Sequence, residues 1–217
     1  MDYVIERSQN GRGKGITAKI MEKEMEKEEN IKERIIRKSW NLFSQKGFEK
    51  TTLNDIIMSA GISKGTFYYY FRSKDTLLNT LSVIFDEEYR NVEEQMPADL
   101  DAFEKLMYLN YKIHTYIGEN FDYRLIANQY AAQLTKEDAS NLLDKNRFYF
   151  SILNRIIDEG QKNGELRDDL TVTEMVKLYG ICERALVTDW CMNNGEYSLG
   201  EYSKKMMPLL FGQCRKK

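Results

Sequence analysis

Residues 51–71 of this chain constrain its fold more than any other segment, and they read TTLNDIIMSAGISKGTFYYYF. Thr52 can cap a first helix, because its hydroxyl accepts a backbone N–H while Asp55, three residues later, reaches back in a capping box. Gly61 tolerates the left-handed backbone of a sharp turn, and Ser63 supplies the next cap. The segment therefore predicts two short helices joined by a turn of three or four residues.

The second of these helices has an inward and an outward side, as in a helix-turn-helix that binds DNA. Ile62, Phe67 and Phe71 can face inward. Five residues remain for a DNA groove: Lys64, Gly65, Thr66, Tyr68 and Tyr69. The glycine costs a helix interior about 1 kcal/mol relative to alanine, but it permits close approach of the backbone to a phosphate or a base edge. A helical hairpin that does not bind DNA is the alternative.

Ser73, Lys74 and Asp75 predict the start of a further helix. Lys74 would then lie in its first turn, where a cation opposes the helix dipole. We therefore expect an anion close to this lysine.

The segment around the helix-turn-helix resembles the N-terminal signature of the tetracycline-repressor (TetR) family over about 45 residues. The resemblance is carried by Ile35, Ile36, Leu42, Phe43, Gly47, Phe48, Thr51, Thr52, Ile56, Ala60, Gly61, Ser63, Gly65, Thr66, Tyr68, Phe71, Lys74 and Leu77. Ser39 and Ile57 replace the usual alanines and Phe67 a common leucine. These departures change core volume and leave the DNA-facing side unchanged.

The resemblance implies an all-α homodimeric transcription regulator. Its three-helix DNA-binding domain would cover 30–75, and a helical effector-binding and dimerisation domain would cover 76–217. The family pattern implies that Lys64, Gly65, Thr66 and Tyr68 lie at or near bases. The residues expected to contact phosphates are Thr52, Tyr69 and Lys74, and Ser63 completes the predicted DNA-binding set.

Composition and charge agree with this organisation. Two prolines among 217 residues and many Leu, Ile, Met, Glu and Lys residues favour helices over sheets. Residues 30–75 carry nine Lys and Arg against four Asp and Glu, whereas 76–217 carry seventeen against twenty-three. Because the basic segment coincides with the helix-turn-helix, it favours a phosphate-facing surface over a merely solvated face.

The N-terminal segment 1–29 has little apolar content in its first 20 residues, where four basic residues lie among three glycines. It predicts a disordered tail or an extension of the first helix, and a basic arm in a minor groove is an alternative. Without an apolar signal-peptide core or a run of about 18 apolar residues, we expect a cytoplasmic protein. The three cysteines are widely spaced, as expected of reduced thiols without a metal or cofactor.

Beyond Lys74, amphipathic segments alternate with proline and glycine breaks. Six helices are predicted there, at 74–96, 100–118, 121–134, 137–162, 172–194 and 199–214, which gives about nine with the three of the head. The last two are apolar on more than one side, so we expect a second copy of the chain to cover residues 172–214. Trp190 and Tyr202 are candidate aromatic anchors there, and Pro208 is expected to kink or end the final helix.

The helix at 100–118 has an inward stripe with two polar members, Asn110 and His114. Since burying them without hydrogen bonds would be costly, either neighbouring helices satisfy them or they project into a ligand cavity. Nearby aromatic residues would form walls of that cavity or ordinary core. The candidate ligand-binding residues are Asn110, Tyr111, His114, Tyr130, Tyr149, Phe150 and Tyr179, and the expected ligand is a largely apolar small molecule.

Three classes of function compete for this sequence. A ligand-responsive regulator, in its simplest form a repressor that a small molecule releases from a palindromic operator, explains all the features above. An enzyme is disfavoured, because there is one histidine and no metal-spaced cluster, serine elbow or phosphate-binding loop. An effector-independent structural DNA-binding protein remains, although it would not need an acidic helical body of about 140 residues.

Overall fold

A computed structural model of the protein describes residues 31–135 and 142–216. Within these residues the chain is all-α and contains no β-strand, which confirms the predicted fold class. The predicted tail at 1–29 and the beginning of the predicted helix 137–162 lie outside the described residues. None of the helices in the two described ranges has both the length and the apolar character needed to cross a bilayer.

Three helices form the N-terminal head. Helix α1 covers 31–46, α2 covers Leu53–Ala60 and α3 covers Lys64–Tyr70. The predicted caps are confirmed: Thr52 forms a capping box with α2, the turn glycine has φ 61°, and Ser63 caps α3. The helices enclose an apolar core that includes Ile35, Trp40, Phe43, Ile56 and Phe67.

Six further α-helices form the body within the described residues. They are α4 (Leu81–Glu94), α5 (Ala102–Asn120), α6 (Tyr123–Thr135), α7 (Phe148–Lys162), α8 (Val172–Met192) and α9 (Leu199–Phe211). Helix α5 is central and packs against α4, α7 and α9, while α8 packs against α6, α7 and α9. This arrangement places the inner faces of α5 and α8 around one core.

The prediction of one continuous helix at 74–96 is wrong in its first part. Lys74–Thr80 form a 3₁₀ helix, and α4 begins only at Leu81. The hydroxyls of Thr76 and Thr80 each donate to a carbonyl oxygen three residues back, at 2.7 and 2.6 Å, which favours the tighter turn. The Ser73 side chain makes no capping bond.

The predicted helix 137–162 begins too early, because the described residues 142–147 are not helical. Asp144 forms a turn there by accepting hydrogen bonds from the backbone N–H of Asn146 and Arg147 at 2.9 and 3.1 Å. At the other end of the chain, Pro208 does not end α9, which continues to Phe211 and is followed by a 3₁₀ turn.

Candidate nucleic-acid interface and ligand site

The outer side of α3 presents the residues predicted to enter a DNA groove. Phe67 is fully buried against the head, whereas Tyr68 and Tyr69 are 49% and 72% exposed. Lys64 and Gly65 are exposed as well. This surface therefore combines a cation, hydroxyl groups and aromatic rings on one short helix.

Gly65 is not required by the packing of the free protein. A Cβ atom built there would lie 3.7 Å from the Ser63 hydroxyl oxygen, which is an ordinary contact. Since the fold would accept alanine, the missing side chain leaves space on the outer surface of α3.

The caps of the head use the polar groups of three predicted DNA-binding residues. The Ser63 hydroxyl accepts from the backbone N–H of Thr66 at 3.0 Å and shares a 2.8 Å hydrogen bond with its hydroxyl. The Thr52 hydroxyl donates to Asp55 at 2.6 Å. An ion pair with Lys46 at 2.7 Å and the bonds from Thr52 hold the pKa of Asp55 well below its usual range. These side chains fix the turn geometry of the head.

Lys74 has partners inside the protein. Its ammonium donates to the carbonyl oxygens of Phe48 and Thr51 at 2.8 and 3.1 Å, and it lies 4.1 Å from the centre of the Phe48 ring. These partners are neutral carbonyl dipoles, whereas the sequence predicted an anion, and no ion pair of the described residues includes Lys74. One of its three protons remains for another acceptor.

A cavity of about 60 Å³ lies in the body between α4, α5, α6, α7 and α8. Its lining includes three of the predicted ligand-binding residues: His114, Tyr130 and Tyr149. Glu183 and Arg184 of α8 also line it. Arg147, from the loop before α7, is a third charged residue of the lining. The structure therefore brings part of the predicted set together with three charged residues that the sequence analysis missed.

Glu183 is the main polar group of this cavity, with only 7% of the residue exposed. Its carboxylate accepts from the Tyr149 hydroxyl at 2.8 Å and from the Tyr89 hydroxyl and the Asn110 amide at 3.4 Å each. Burial raises its pKa to about 7, although these hydrogen bonds act in the opposite direction. The sequence does contain a signal that Glu183 faces inward, because it lies four residues after Tyr179 on the inward stripe of α8.

The sequence left two alternatives for Asn110 and His114, namely hydrogen bonding to a neighbouring helix or projection into a ligand cavity. Both apply to His114. His114 lies in the core and its Nδ1 is 2.5 Å from the Ser203 hydroxyl, yet it also lines the cavity. Burial lowers its pKa to about 3, so the ring is neutral at pH 7. Asn110 is fully buried, and its side-chain carbonyl oxygen has no hydrogen-bond partner.

Two larger spaces adjoin the cavity and share Leu143 and Arg184 with it. The first is a mostly apolar groove of about 570 Å³ between α6 and α8, which includes Leu134 and Met192. The second, a depression of about 450 Å³, is lined by Lys145 together with Lys177 and Arg184, and by no acidic residue. We call these spaces the apolar groove and the cationic depression.

Comparison with known proteins relates both parts of the chain to one family. Residues 35–81 match the family described as "Bacterial regulatory proteins, tetR family", and residues 85–213 match "YsiA-like protein, C-terminal region". This chain belongs to the TetR family of bacterial regulatory proteins. It is a DNA-binding, ligand-responsive transcriptional regulator.

Several TetR-family relatives are similar over most of their length. The fatty acid metabolism regulator protein of Bacillus subtilis is 26% identical over 181 residues, which cover 81% of this chain and 91% of the relative. The structure of FadR from Bacillus subtilis with stearoyl-CoA has a TM-score of 0.62 and 24% identity, covering 83% of this chain and 97% of that one. Thermus thermophilus FadR with lauroyl-CoA has a TM-score of 0.60 and 22% identity, covering 84% and 94%. The two structural comparisons show the same fold.

Four of the seven predicted ligand-binding residues of this TetR-family chain are not part of the cavity lining, and one of them is the buried Asn110. The Tyr111 hydroxyl donates to Glu201 at 2.9 Å on an exposed surface. Tyr179 is buried core, where its hydroxyl donates to the Leu106 carbonyl at 2.8 Å. Phe150 lines the cationic depression and not the cavity.

A partly buried ion pair connects the cavity wall to α4. The Arg147 guanidinium contacts the Asp86 carboxylate at 2.7 Å, and the same carboxylate accepts from the backbone N–H of Phe148 at the start of α7. Arg147 also donates to the Leu142 carbonyl at 2.8 Å, and both residues line the cavity. Asp86 therefore holds the loop beside the cavity to the helix that leads to the head.

The exposed apolar side chains of α8 and α9 mark the predicted dimer surface. Ile181 and Met192 are exposed on α8, as are Tyr202, Leu209 and Leu210 on α9. The prediction that Trp190 is an interface anchor is wrong, because it is buried within its own chain and its indole N–H donates to the Tyr197 carbonyl at 3.0 Å.

The described residues hold no group of three His, Cys, Asp or Glu side chains that could bind a metal ion. Cys182, Cys191 and Cys214 are free thiols.

Proposed function

We propose that the protein is a cytoplasmic homodimeric repressor that binds a palindromic operator and is released by an aliphatic small molecule. The observation that carries this proposal is the outer surface of α3, where Lys64, Gly65, Tyr68 and Tyr69 are exposed while Phe67 anchors the helix. A helix of this kind reads base edges in the major groove, and two copies read two half-sites.

The predicted DNA-binding residues divide into those proposed mainly to contact DNA and those that also stabilise the head. Lys64, Tyr68 and the open side of Gly65 are proposed to approach the bases, and Tyr69 to contact a phosphate. Ser63, Thr66 and Thr52 hold the caps, so their contacts with DNA would come mainly from the backbone or from shared hydroxyls. Lys74 supports the head through two carbonyls and can direct its remaining proton to a phosphate.

The homodimer is proposed to form through α8 and α9. Their exposed apolar residues, among them Ile181 and Leu209, would leave a hydrophobic surface in water if the chain remained alone. A two-fold dimer also supplies the pair of recognition helices that a palindrome requires.

The effector is proposed to be a long-chain acyl thioester of coenzyme A. FadR from Bacillus subtilis and from Thermus thermophilus were crystallised with stearoyl-CoA and lauroyl-CoA. In this chain the apolar groove has the volume and lining for an aliphatic chain, and the cationic depression can receive phosphate groups. Since both spaces meet at Arg184, one amphiphilic molecule can occupy them together.

Release is proposed to pass through the Asp86–Arg147 pair. An effector that displaces Leu142 or Leu143 would move the loop that Arg147 holds, and Asp86 would transmit the movement to α4. The effector must bind more tightly to the state whose two heads no longer match the operator, because equal affinity for both states shifts nothing.

The DNA-binding part is tested by capturing genomic fragments on the purified protein, followed by sequencing and footprinting. We expect a palindrome with half-sites about 34–36 Å apart on one side of the duplex. Lys64→Ala and Tyr68→Ala should each weaken the complex by about 1–3 kcal/mol. Lys162→Ala, an exposed lysine of α7, is the matched control and should bind normally. Protection that does not depend on sequence would contradict the proposal.

A further inference from the structure

Glu183 is a buried carboxylate that accepts only one short hydrogen bond. Only the Tyr149 hydroxyl is at a short distance, 2.8 Å, while Tyr89 and Asn110 donate across 3.4 Å. Among the ion pairs of the described part of the chain, none includes Glu183. A buried charge without a paired cation is costly, so this carboxylate has capacity for a further donor.

Its neighbour Asn110 does not line the cavity and donates to Glu183 from within the core. The Asn110 side-chain oxygen is buried and has no hydrogen-bond partner, while its amide nitrogen lies 3.4 Å from Glu183 and 3.5 Å from Nε2 of His114. The cavity beside Glu183 has about 60 Å³, which is room for a small polar group.

We propose that Glu183 forms a polar subsite that selects effectors carrying a hydrogen-bond donor and excludes a free carboxylate. This inference rests on the proposed effector-binding function, because the cavity shares Tyr130, Leu142, Leu143 and Arg184 with the apolar groove. Hydroxyl, amide and ammonium groups can each donate to the Glu183 carboxylate. A carboxylate only accepts, and it would place a second negative charge beside Glu183.

The subsite gives the regulator a way to distinguish two related molecules. An acyl thioester of coenzyme A carries amide N–H groups close to its thioester, whereas the corresponding free fatty acid ends in a carboxylate. Arg147 and Arg184 line the same cavity, and because Arg147 is paired with Asp86, Arg184 is the cation available to attract the acid. The competing outcome is therefore an acid-binding site built on Arg184.

The test measures binding of three ligands of equal chain length, octan-1-ol, octylamine and octanoate, to the full-length protein by calorimetry at pH 8. We expect the alcohol and the amine to bind at least about ten-fold more tightly than octanoate, since only the acid meets a like charge. Comparing the affinities of octylamine and octan-1-ol shows whether the subsite prefers a cationic or a neutral donor. Octanoate binding as tightly as both would overturn the proposal even without a variant.

Glu183→Gln removes the charge and keeps the shape of the side chain. We expect octanoate to gain affinity and octylamine to lose it, so that the difference between them shrinks by about ten-fold or more. Glu159→Gln, at an exposed acid on α7, is the control and should leave the ranking unchanged. Circular dichroism checks that each variant is folded. An unchanged ranking in Glu183→Gln would also contradict the proposal.

Operator release by acyl-CoA, measured on the same preparations, separates this inference from the proposed function. If the ranking holds but acyl-CoA does not release the operator, the subsite stands and the proposed effector fails. If acyl-CoA releases the operator but octanoate equals the alcohol and the amine, the subsite fails alone.

Discussion

Gly65 lies inside α3, where its missing side chain costs helix stability and leaves the outer surface open. Because a Cβ atom would make only an ordinary contact in the free protein, Gly65→Ala should raise the free energy of unfolding by about 0.5–1 kcal/mol. The same methyl group would lie between α3 and DNA, so operator affinity should fall. Urea denaturation and fluorescence anisotropy with labelled operator measure the two effects.

Gly212→Ala is the matched control for this experiment. Gly212 follows α9 with a helical backbone and has nothing within 4 Å of a built Cβ. Its substitution should leave operator affinity unchanged. Unchanged DNA binding in Gly65→Ala would mean that the open surface of α3 is not used for recognition.

Glu183 and His114 make opposite contributions to the pH dependence of stability. The pKa of Glu183 is raised to about 7, so its contribution is fully present below the unfolded-state value of 4.5 and is lost as the pH rises through 7. The pKa of His114 is lowered to about 3, so its contribution is present above 6.5 and is lost as the pH falls through 3. Between pH 5 and 6 the two nearly cancel.

Replacing either residue should therefore reveal the pH dependence of stability that the other residue contributes. In Glu183→Gln the free energy of unfolding, relative to wild type, should rise by about 1 kcal/mol per pH unit between pH 5 and 6. In His114→Asn the free energy of unfolding, relative to wild type, should fall by about 1 kcal/mol per pH unit over the same range. Urea denaturation at several pH values measures both slopes, and parallel curves for wild type and both variants would refute the pKa assignments.

Lys74 combines a role in the fold with a proposed contact to DNA. Lys74→Met removes the ammonium that joins two backbone carbonyls, so we expect the free energy of unfolding to fall by about 1–3 kcal/mol. A lost phosphate contact should also reduce the salt slope of operator binding by about 0.9. A lower stability with an unchanged salt slope would assign Lys74 to the fold alone.

At the scale of helices, the sequence predicted the elements whose signals are local. Thr52, Gly61 and Ser63 determine their turns through neighbours within three residues, so their caps could be predicted. The start of α7 could not, because Phe148 donates to Asp86, which is 62 residues away in sequence. The 3₁₀ segment after Ser73 was missed because its threonine hydroxyls compete with regular helical hydrogen bonding.

The candidate ligand site was predicted only in part, because helical spacing is a local signal and contacts between helices are not. Helical spacing placed Asn110 and His114 on the inner face of α5, which the structure confirms. Spacing does not reveal which neighbouring helix an aromatic residue meets, so Tyr111 and Tyr179 were included although they face other partners. Glu183 lies on an inward stripe and was overlooked because a charge there was not expected.

The proposed dimer surface on α8 and α9 can be disrupted without touching the core. Ile181→Glu combined with Leu209→Glu places charges on two exposed apolar positions, so we expect a folded monomer with weak operator binding. Val83→Glu, at an exposed apolar position on α4, is the control and should remain dimeric. Analytical ultracentrifugation at micromolar concentration measures the state. A stable dimer in the double variant would place the interface elsewhere.

At the scale of the whole molecule, a basic head is joined to an acidic body through α4. The uneven charge directs phosphates towards the head, while the cavity, the apolar groove and the cationic depression all lie in the body. We propose that communication between them crosses the contact between Asp86 and Arg147. A ligand needs about 10⁴-fold preference for the released state to reverse a 1:99 equilibrium, which a large buried aliphatic chain can provide.

The most direct test of the account is a titration of the captured operator complex with lauroyl-CoA and stearoyl-CoA, followed by fluorescence anisotropy, with free coenzyme A as the control. The account predicts that both acyl thioesters release the DNA at concentrations where coenzyme A alone does not. Leu134→Asp, in the exposed apolar groove, should bind the operator normally and need more acyl-CoA for release. An operator complex that both acyl thioesters leave intact would contradict it.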